Sequence, residues 1–359
     1  MIALEVSSAA GRPPWGGIGG SIRRLVVALV RLDPETRYAL AYRPSRLRRR
    51  GLFRPAAPNT QIRVVQDPAN AILLRGARLL HGMSSWLPRT PDVPKLVTIY
   101  DVNPLRNPAW VSERWHALRG GRLRQAVERA DCVVATSRHS ASEIEDLLGV
   151  PAARIRVASL GVDAASFRPL APEAQARLRA RHGDFVLGVG LVSVRKNLAR
   201  LVEAVAAIPE LRLVVVGRPS NAIEAFRAAI ARTKTAERVS HFERVSEPEL
   251  VALLGAARLV AVPSLYEGFG LTVLEAMACG TPVVCSNASS LPEVAAGAAL
   301  LVDARDPDAL ADAFRRVLGS PALAGGLIER GLARARAMSW ERAASELLPL
   351  YRELGAGSA

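Results

Sequence analysis

Lysine is almost missing from this chain. Of its 48 basic residues only Lys95, Lys196 and Lys234 are lysines, so chemistry that runs through a Schiff-base lysine has few places to sit. Cysteine is equally sparse. Cys132, Cys279 and Cys285 are scattered, with no C-x-x-C pair and no histidine cluster beside them. That disfavours a disulfide framework or a zinc site and leaves reduced core thiols as the expectation. Aromatic residues make up 5% of the chain and do not interleave with its basic stretches, so no nucleic-acid-binding pattern emerges. No apolar run approaches the roughly 18 residues of a membrane span. The stretch MIALEVSSAAGRPPWGG lacks the basic and apolar regions of a signal peptide. A cytoplasmic protein is expected.

What is present suits a globular protein of about two domains. The 359 residues are half hydrophobic, and the 24 prolines and 27 glycines are dispersed, so no segment reads as disordered. The net charge of +15 is unevenly placed. Residues 1–165 hold 25 Lys+Arg against 13 Asp+Glu, whereas residues 166–359 hold 23 against 20. The densest cluster is RPSRLRRRGLFR, Arg43 to Arg54. A basic first half suggests an anionic partner, and a membrane surface or lipid-phosphate acceptor is favoured over nucleic acid.

Short apolar runs alternate with helical patterns. IALEVSS, KLVTIYD, CVVATS and RIRVASLG are followed by FVLGVG, LRLVVVG, RLVAVPS, TPVVCS and ALLVD. Continuous Val/Leu/Ile runs are those of parallel strands covered on both faces. The alternation predicts an α/β protein with doubly wound sheets. The Pro-punctuated FRPLAPEA, Phe167 to Ala174, marks a break and divides the chain into 1–167 and 168–339. The amphipathic SWERAASELLPLYREL, Ser339 to Leu354, has no strand after it, and the C-terminal helix, 340–359, is expected to pack back on the first domain.

Three loops can carry chemistry. In YEGFGLTVLEAMACG, Gly268 and Gly270 permit close backbone approach, and a helix is expected from Leu271 to Cys279. Such a loop, with Phe269 inside it, presents N–H groups to an anion. Glu275 is the only residue charged at neutral pH between Gly268 and Pro292, and Glu267 stands just outside that stretch. The residues alone leave two readings open. The carboxylates bind a ligand, or Glu275 is a salt-bridge partner and Glu267 a solvated loop charge. In GVGLVSVRKN, Arg195 and Lys196 sit at a strand–helix junction, where a guanidinium fork beside a compact ammonium suits a diphosphate. The bland alternative is two solvated charges. In WGGIGGS, glycines 16, 17, 19 and 20 could approach a phosphate, but the spacing is not G-x-G-x-x-G and no later acid is placed for a ribose, which disfavours a nicotinamide enzyme.

Two carboxylates separated by seven residues, Glu267 and Glu275, resemble the E-x7-E signature of retaining glycosyltransferases of the GT-B fold, family 4. GVGLVSVRKNL resembles that family's diphosphate Arg-Lys motif, GGIGGSIRRLV its first Gly loop, and VVATSRHSASEIEDLLGVPAARIRVASLGVD its end-of-first-domain segment. SWERAASELLPLYREL resembles its C-terminal helix. The resemblance implies two Rossmann-like domains facing across a cleft, with the final helix crossing back to the first. The second domain would hold a GDP- or UDP-linked sugar and the first a glycan or lipid-linked acceptor. Arg195 and Lys196 would neutralise the diphosphate with help from backbone at Gly268, Phe269, Gly270 and Leu271. Glu267 would touch sugar hydroxyls, Glu275 the ribose, and Gly17 and Gly19 would let the first domain close over the phosphates.

The resemblance further implies retention, no cofactor and no metal, and a hexosyl group such as mannosyl or rhamnosyl moved during cell-surface polysaccharide synthesis. One position departs. The family usually shows His-Asp after the strand LVTI, and this chain has Tyr100-Asp101. The alternatives are an epimerase-like enzyme of the same fold, or a non-catalytic member that binds sugar nucleotide or membrane. His81 and His139 could replace the missing histidine, with structural roles the expectation for both.

Overall fold

Parallel pairing runs through both sheets, as the continuous apolar runs require. The computed structural model describes residues 1–11, 17–47, 51–67, 74–89 and 93–356. The chain forms two compact units, Val162–Met338 and the remainder, Met1–Gly161 joined by the stretch from Ser339 on.

In the first unit, β1 (Ile2–Glu5), β2 (Tyr38–Tyr42), β3 (Thr60–Val64), β4 (Leu79–Gly82), β5 (Lys95–Ile99), β6 (Cys132–Ala135) and β7 (Ile155–Val157) form one sheet in the order β3-β2-β1-β4-β5-β6-β7. Every residue of β1, β2, β4 and β6 is buried, because helices cover both faces. Ala3, Leu80, Val97 and Val133 pack with Leu123 and Val127 of helix Glu113–Arg129 and Ile144 of helix Arg138–Leu148. Helix Trp340–Ala356 packs against helix Gly17–Leu32 and reaches β4. His81, fully buried in β4, is bonded on both ring nitrogens. Nδ1 lies 2.6 Å from the Tyr351 hydroxyl and Nε2 lies 2.8 Å from Thr98 Oγ1. Burial pushes His81 down to about 3, so the ring is neutral and one nitrogen donates while the other accepts.

In the second unit, β8 (Phe185–Val189), β9 (Arg212–Val216), β10 (Val239–Phe242), β11 (Leu259–Val262), β12 (Val283–Ser286) and β13 (Leu300–Val302) follow the order β10-β9-β8-β11-β12-β13. Leu201, Val202 and Val205 of helix Leu198–Ala206 and Phe314 of helix Pro307–Gly319 bury against β8 and β9 residues. The second unit begins at Val162, earlier than the break expected at Phe167. The reason is local. The Val162 N–H donates to Met338 O at 2.8 Å, and Phe167 is buried, so the segment before the prolines already belongs to the second unit. Among the described residues no helix is long and apolar enough to cross a membrane.

Candidate active site

The chain leaves β8 toward β9 on one side, while β11 lies on the other. Loops leaving the carboxyl ends of β8 and β11 therefore diverge, and this reversal is where open α/β sheets hold ligands. Gly190 turns the chain after β8 at φ +139°, and a Cβ there would lie 2.7 Å from the Lys196 side chain. A 3-10 turn, Val194–Lys196, ends at Asn197, whose left-handed φ of 56° separates it from helix Leu198–Ala206. The two cations thus ride on their own turn and not on the helix start. Asn197 Nδ2 donates to Pro263 O (3.2 Å) and Ala304 O (2.7 Å), and the Leu265 N–H donates to Arg195 O (2.8 Å). The Pro263 and Leu265 bonds stitch the β8 loop to the β11 loop, and the Ala304 bond ties it to the segment after β13 (Leu300–Val302).

Glu267 sits at the join, with 7% exposure. Its Oε1 accepts from Lys196 Nζ at 2.6 Å and Ser264 Oγ at 2.7 Å, and its Oε2 accepts from Arg195 Nη1 at 2.5 Å. The same Arg195 nitrogen donates to Tyr266 O at 2.9 Å. Burial alone would raise the Glu267 pKa. The charges of Lys196 and Arg195, with the hydrogen bonds from Lys196 and Ser264, outweigh it and bring the group to about 2. Glu267 is therefore not a solvated loop charge, and Arg195 and Lys196 are not two free ones.

The backbone around Glu267 is held as firmly. Its N–H donates to Ser289 Oγ at 2.9 Å, and Ser290 Oγ donates to Glu267 O (2.9 Å) and Phe269 O (2.7 Å). Gly268 and Phe269 lead to Gly270, at φ +111°, where a Cβ would lie 2.7 Å from Leu291 Cδ2. Helix Leu271–Ala278 begins there, and its N-cap residue, Gly270, has no side chain to cap it. Val273, Leu274, Ala276, Met277 and Ala278 are buried, whereas Leu271, Thr272 and Glu275 are partly exposed. Glu275 therefore shares the open stripe with the helix start, one turn in.

The remaining expected residues lie at the carboxyl edge of the first sheet. Gly17 and Gly19 are the opening residues of helix Gly17–Leu32 and not a loop before it. A Cβ on Gly19 would lie 2.8 Å from Ser8 O. Trp15 and Gly16 fall outside the described residues, as do Arg48 to Arg50. Tyr100 follows β5. Its ring is buried, its hydroxyl has no hydrogen-bond partner among the described residues, and its carbonyl accepts from Thr136 Oγ1 at 3.1 Å. Burial raises its pKa, so it is a neutral phenol. Asp101 Oδ1 accepts from the Asn103 N–H at 3.1 Å. His81 is taken up by the fold, and His139 Nε2 lies 3.6 Å from Glu143 Oε2 within one helix.

Ser264, Ser289, Ser290 and Asn197 were not singled out in the sequence, although they fix the Arg195–Glu267–Lys196 cluster. The small polar run SNASS after β12 was the available signal. Asp306 caps helix Pro307–Gly319, its Oδ1 accepting from the Asp308 and Ala309 N–H groups at 2.9 and 3.2 Å.

The fold is shared with solved proteins. Sucrose-phosphate synthase from Thermosynechococcus elongatus superposes with a TM-score of 0.80 at 24% identity, over 99% of both chains. Anabaena HepE, solved with UDP and glucose, has a TM-score of 0.72 at 17% identity, over 98% of this chain and 99% of its own. Those likenesses concern the fold. In sequence, O-antigen chain mannosyltransferase B of Escherichia coli is 29% identical over 285 residues, covering 77% of this chain and 74% of its own. D-inositol 3-phosphate glycosyltransferase of Xylanimonas cellulosilytica is 33% identical over 293 residues, covering 76% and 70%. Residues 15–166 match Glycosyltransferase Family 4, and residues 173–334 match Glycosyl transferases group 1. The chain belongs to the family 4 glycosyltransferases of the GT-B fold.

Proposed function

We propose that this glycosyltransferase moves a hexosyl group, mannosyl or rhamnosyl, from a GDP- or UDP-linked sugar to a glycan or lipid-linked acceptor, with retention and without a metal. The supporting observation is the Arg195–Glu267–Lys196 cluster at the β8/β11 reversal, placed before the start of helix Leu271–Ala278. When the bond from the anomeric carbon to the diphosphate oxygen breaks, its electron pair stays on the diphosphate. Arg195, Lys196 and the helix N–H groups meet that charge. Because Glu267 already holds both cations in place, little reorganisation is needed as the charge develops.

A carboxylate offers about four lone-pair sites, so Glu267 can still accept from a sugar hydroxyl. Glu275 takes the ribose hydroxyls from the same open stripe. The acceptor hydroxyl attacks from the face the diphosphate leaves, and its proton passes to a departing phosphate oxygen. The Escherichia coli relative's name favours mannosyl transfer in surface polysaccharide synthesis. A second reading of the acceptor, a phosphorylated polyol, is favoured by the name of the Xylanimonas relative and by the basic first half of the chain. The protein is expected to act in the cytoplasm.

The test is release of nucleoside diphosphate and formation of product from GDP-, UDP- and dTDP-sugars with both acceptor classes, with the product anomer read by NMR. Transfer with retention that survives EDTA is expected. Inversion, loss of activity in EDTA, or binding of donor without turnover would overturn the mechanism, and sugar inversion without transfer would identify an epimerase.

A further inference from the structure

Glu5 ends β1 with its side chain fully buried. Its Oε1 accepts from the Ser7 N–H at 3.2 Å, whereas Oε2 has no hydrogen-bond partner among the described residues. Arg43 Nε lies 3.6 Å from Oε1, too far for a hydrogen bond, and is itself buried without a partner. Burial raises the Glu5 pKa, and Ser7 and Arg43 offset that only in part. A carboxyl group and a guanidinium thus stand side by side, each with one polar atom unmet, where a folded protein ordinarily leaves none.

The surroundings belong to the carboxyl edge of the first sheet. Glu5 pairs with Ala41 of β2 and with Gly82 of β4, so the loops leaving those strands meet over it. Arg43 follows β2, and its guanidinium lies 4.8 Å from the centre of the Trp86 ring. Trp86 follows β4 and turns back over the strand end because Gly82 has no Cβ, which would lie 2.5 Å from Trp86 O. Ser8 Oγ and Ser84 Oγ, 3.4 Å apart, sit on the neighbouring loops. Arg43 is the movable wall of this cluster. A quarter of its side chain is exposed, and the residue is held through its backbone, where the N–H donates to Ser7 Oγ at 2.9 Å.

We propose that Glu5 and Arg43 together bind one hydroxyl of a neutral sugar in the acceptor, with Arg43 moving off the Trp86 ring to admit it and the ring then lying along the sugar. A hydroxyl donates and accepts at once, so it serves Glu5 in either protonation state while it takes a hydrogen bond from Arg43. A phosphate serves only a protonated Glu5, and an ammonium serves only an ionised one. The indole ring adds a large flat surface for the apolar face of a sugar. The inference rests on the reading that the first unit receives the acceptor, and it favours a glycan over a phosphorylated polyol in that place.

The experiment is titration of the full chain, labelled with fluorotryptophan, by the methyl glycosides of mannose, rhamnose, glucose and galactose, by inositol phosphate and by inorganic phosphate. Fluorine NMR follows the binding, and W86F assigns the Trp86 signal. At least one glycoside is expected to move that signal at a lower concentration than either phosphate. E5M should weaken glycoside binding about tenfold without lowering the melting temperature, because it removes an unmet buried group. Should E5M fail to fold, R43Q, at a partly exposed position, carries the same tenfold expectation. R63Q, which removes an exposed charge from β3, should bind as wild type. A Trp86 signal that no glycoside moves, a tighter response to either phosphate, or wild-type affinity in R43Q would overturn the proposal. No sugar donor is present, so a failed transferase reading leaves this result standing, and the reverse holds too.

Discussion

Lys196 Nζ lies 2.6 Å from Glu267 Oε1, across 71 residues of sequence. A cation and a carboxylate that the motifs assign to different parts of one ligand are bonded to each other. With Arg195 on the other oxygen, two positive charges surround one negative charge, and the cluster keeps one positive charge for an anionic guest. The carboxylate's first task is to hold the cations where a diphosphate would meet them.

Removing that carboxylate should therefore cost stability as well as activity. E267A leaves two neighbouring cations at a largely buried site, and a loss of about 3–5 kcal/mol is expected in urea unfolding. R195A and K196A each remove one donor to the developing charge, and kcat should fall about 10²- to 10³-fold. Unchanged turnover in either variant would remove these residues from the site.

The same ion pairs set an acid limit. Glu267 is held near 2 in the folded protein, against an ordinary value of 4.5. Its contribution is complete above pH 4.5 and is lost as pH falls toward 2, on the order of 3 kcal/mol in all. The stability gap between wild type and E267Q should narrow over that window. A gap that stays constant would mean the carboxylate is not charge-paired.

Glu275 should behave differently from Glu267. It is half-buried on the open stripe of its helix, so E275A should raise the KM for donor about tenfold while moving the urea midpoint little. A change in kcat with unaltered KM would place Glu275 at the transferring sugar instead of the ribose.

His81 predicts a second acid effect, with a different window. The folded ring resists protonation down to about 3, whereas the unfolded ring takes a proton near 6.5. Stability should fall by about 1.4 kcal/mol per pH unit as pH drops below 6.5, and this slope should be absent in H81Q. Equal slopes in the two proteins would show that His81 is charged in the fold.

The sheets were legible because buried parallel strands read as unbroken apolar runs, and β5, β8, β9 and β11 stand out for that reason. Strands such as β2, YALAY, and β4, LLHG, carry tyrosine, histidine or glycine and were not singled out, although every residue in both is buried. Their polar atoms are satisfied by distant partners. Tyr42 donates to Phe53 O, and His81 meets Tyr351. At the candidate site the charged residues were visible, because Glu267, Arg195 and Lys196 interrupt apolar surroundings. Their mutual pairing was not, since no local pattern brings the ends of two strands together. Ser264, Ser289 and Ser290 were hidden because serine in a loop carries no signal until its partner is known.

The helix Trp340–Ala356 lies against Gly17–Leu32 and carries the Tyr351 hydroxyl bonded to His81. Residues 1–161 therefore cannot finish their own fold when they leave the ribosome. The second unit, Val162–Met338, is synthesised whole in the meantime and can settle as an independent body. During that interval the His81 ring has no Tyr351 to meet and helix Gly17–Leu32 has an uncovered apolar side. Translation order makes the earlier half the later one to mature, and a nascent-chain protease assay should find it vulnerable until Tyr351 has emerged.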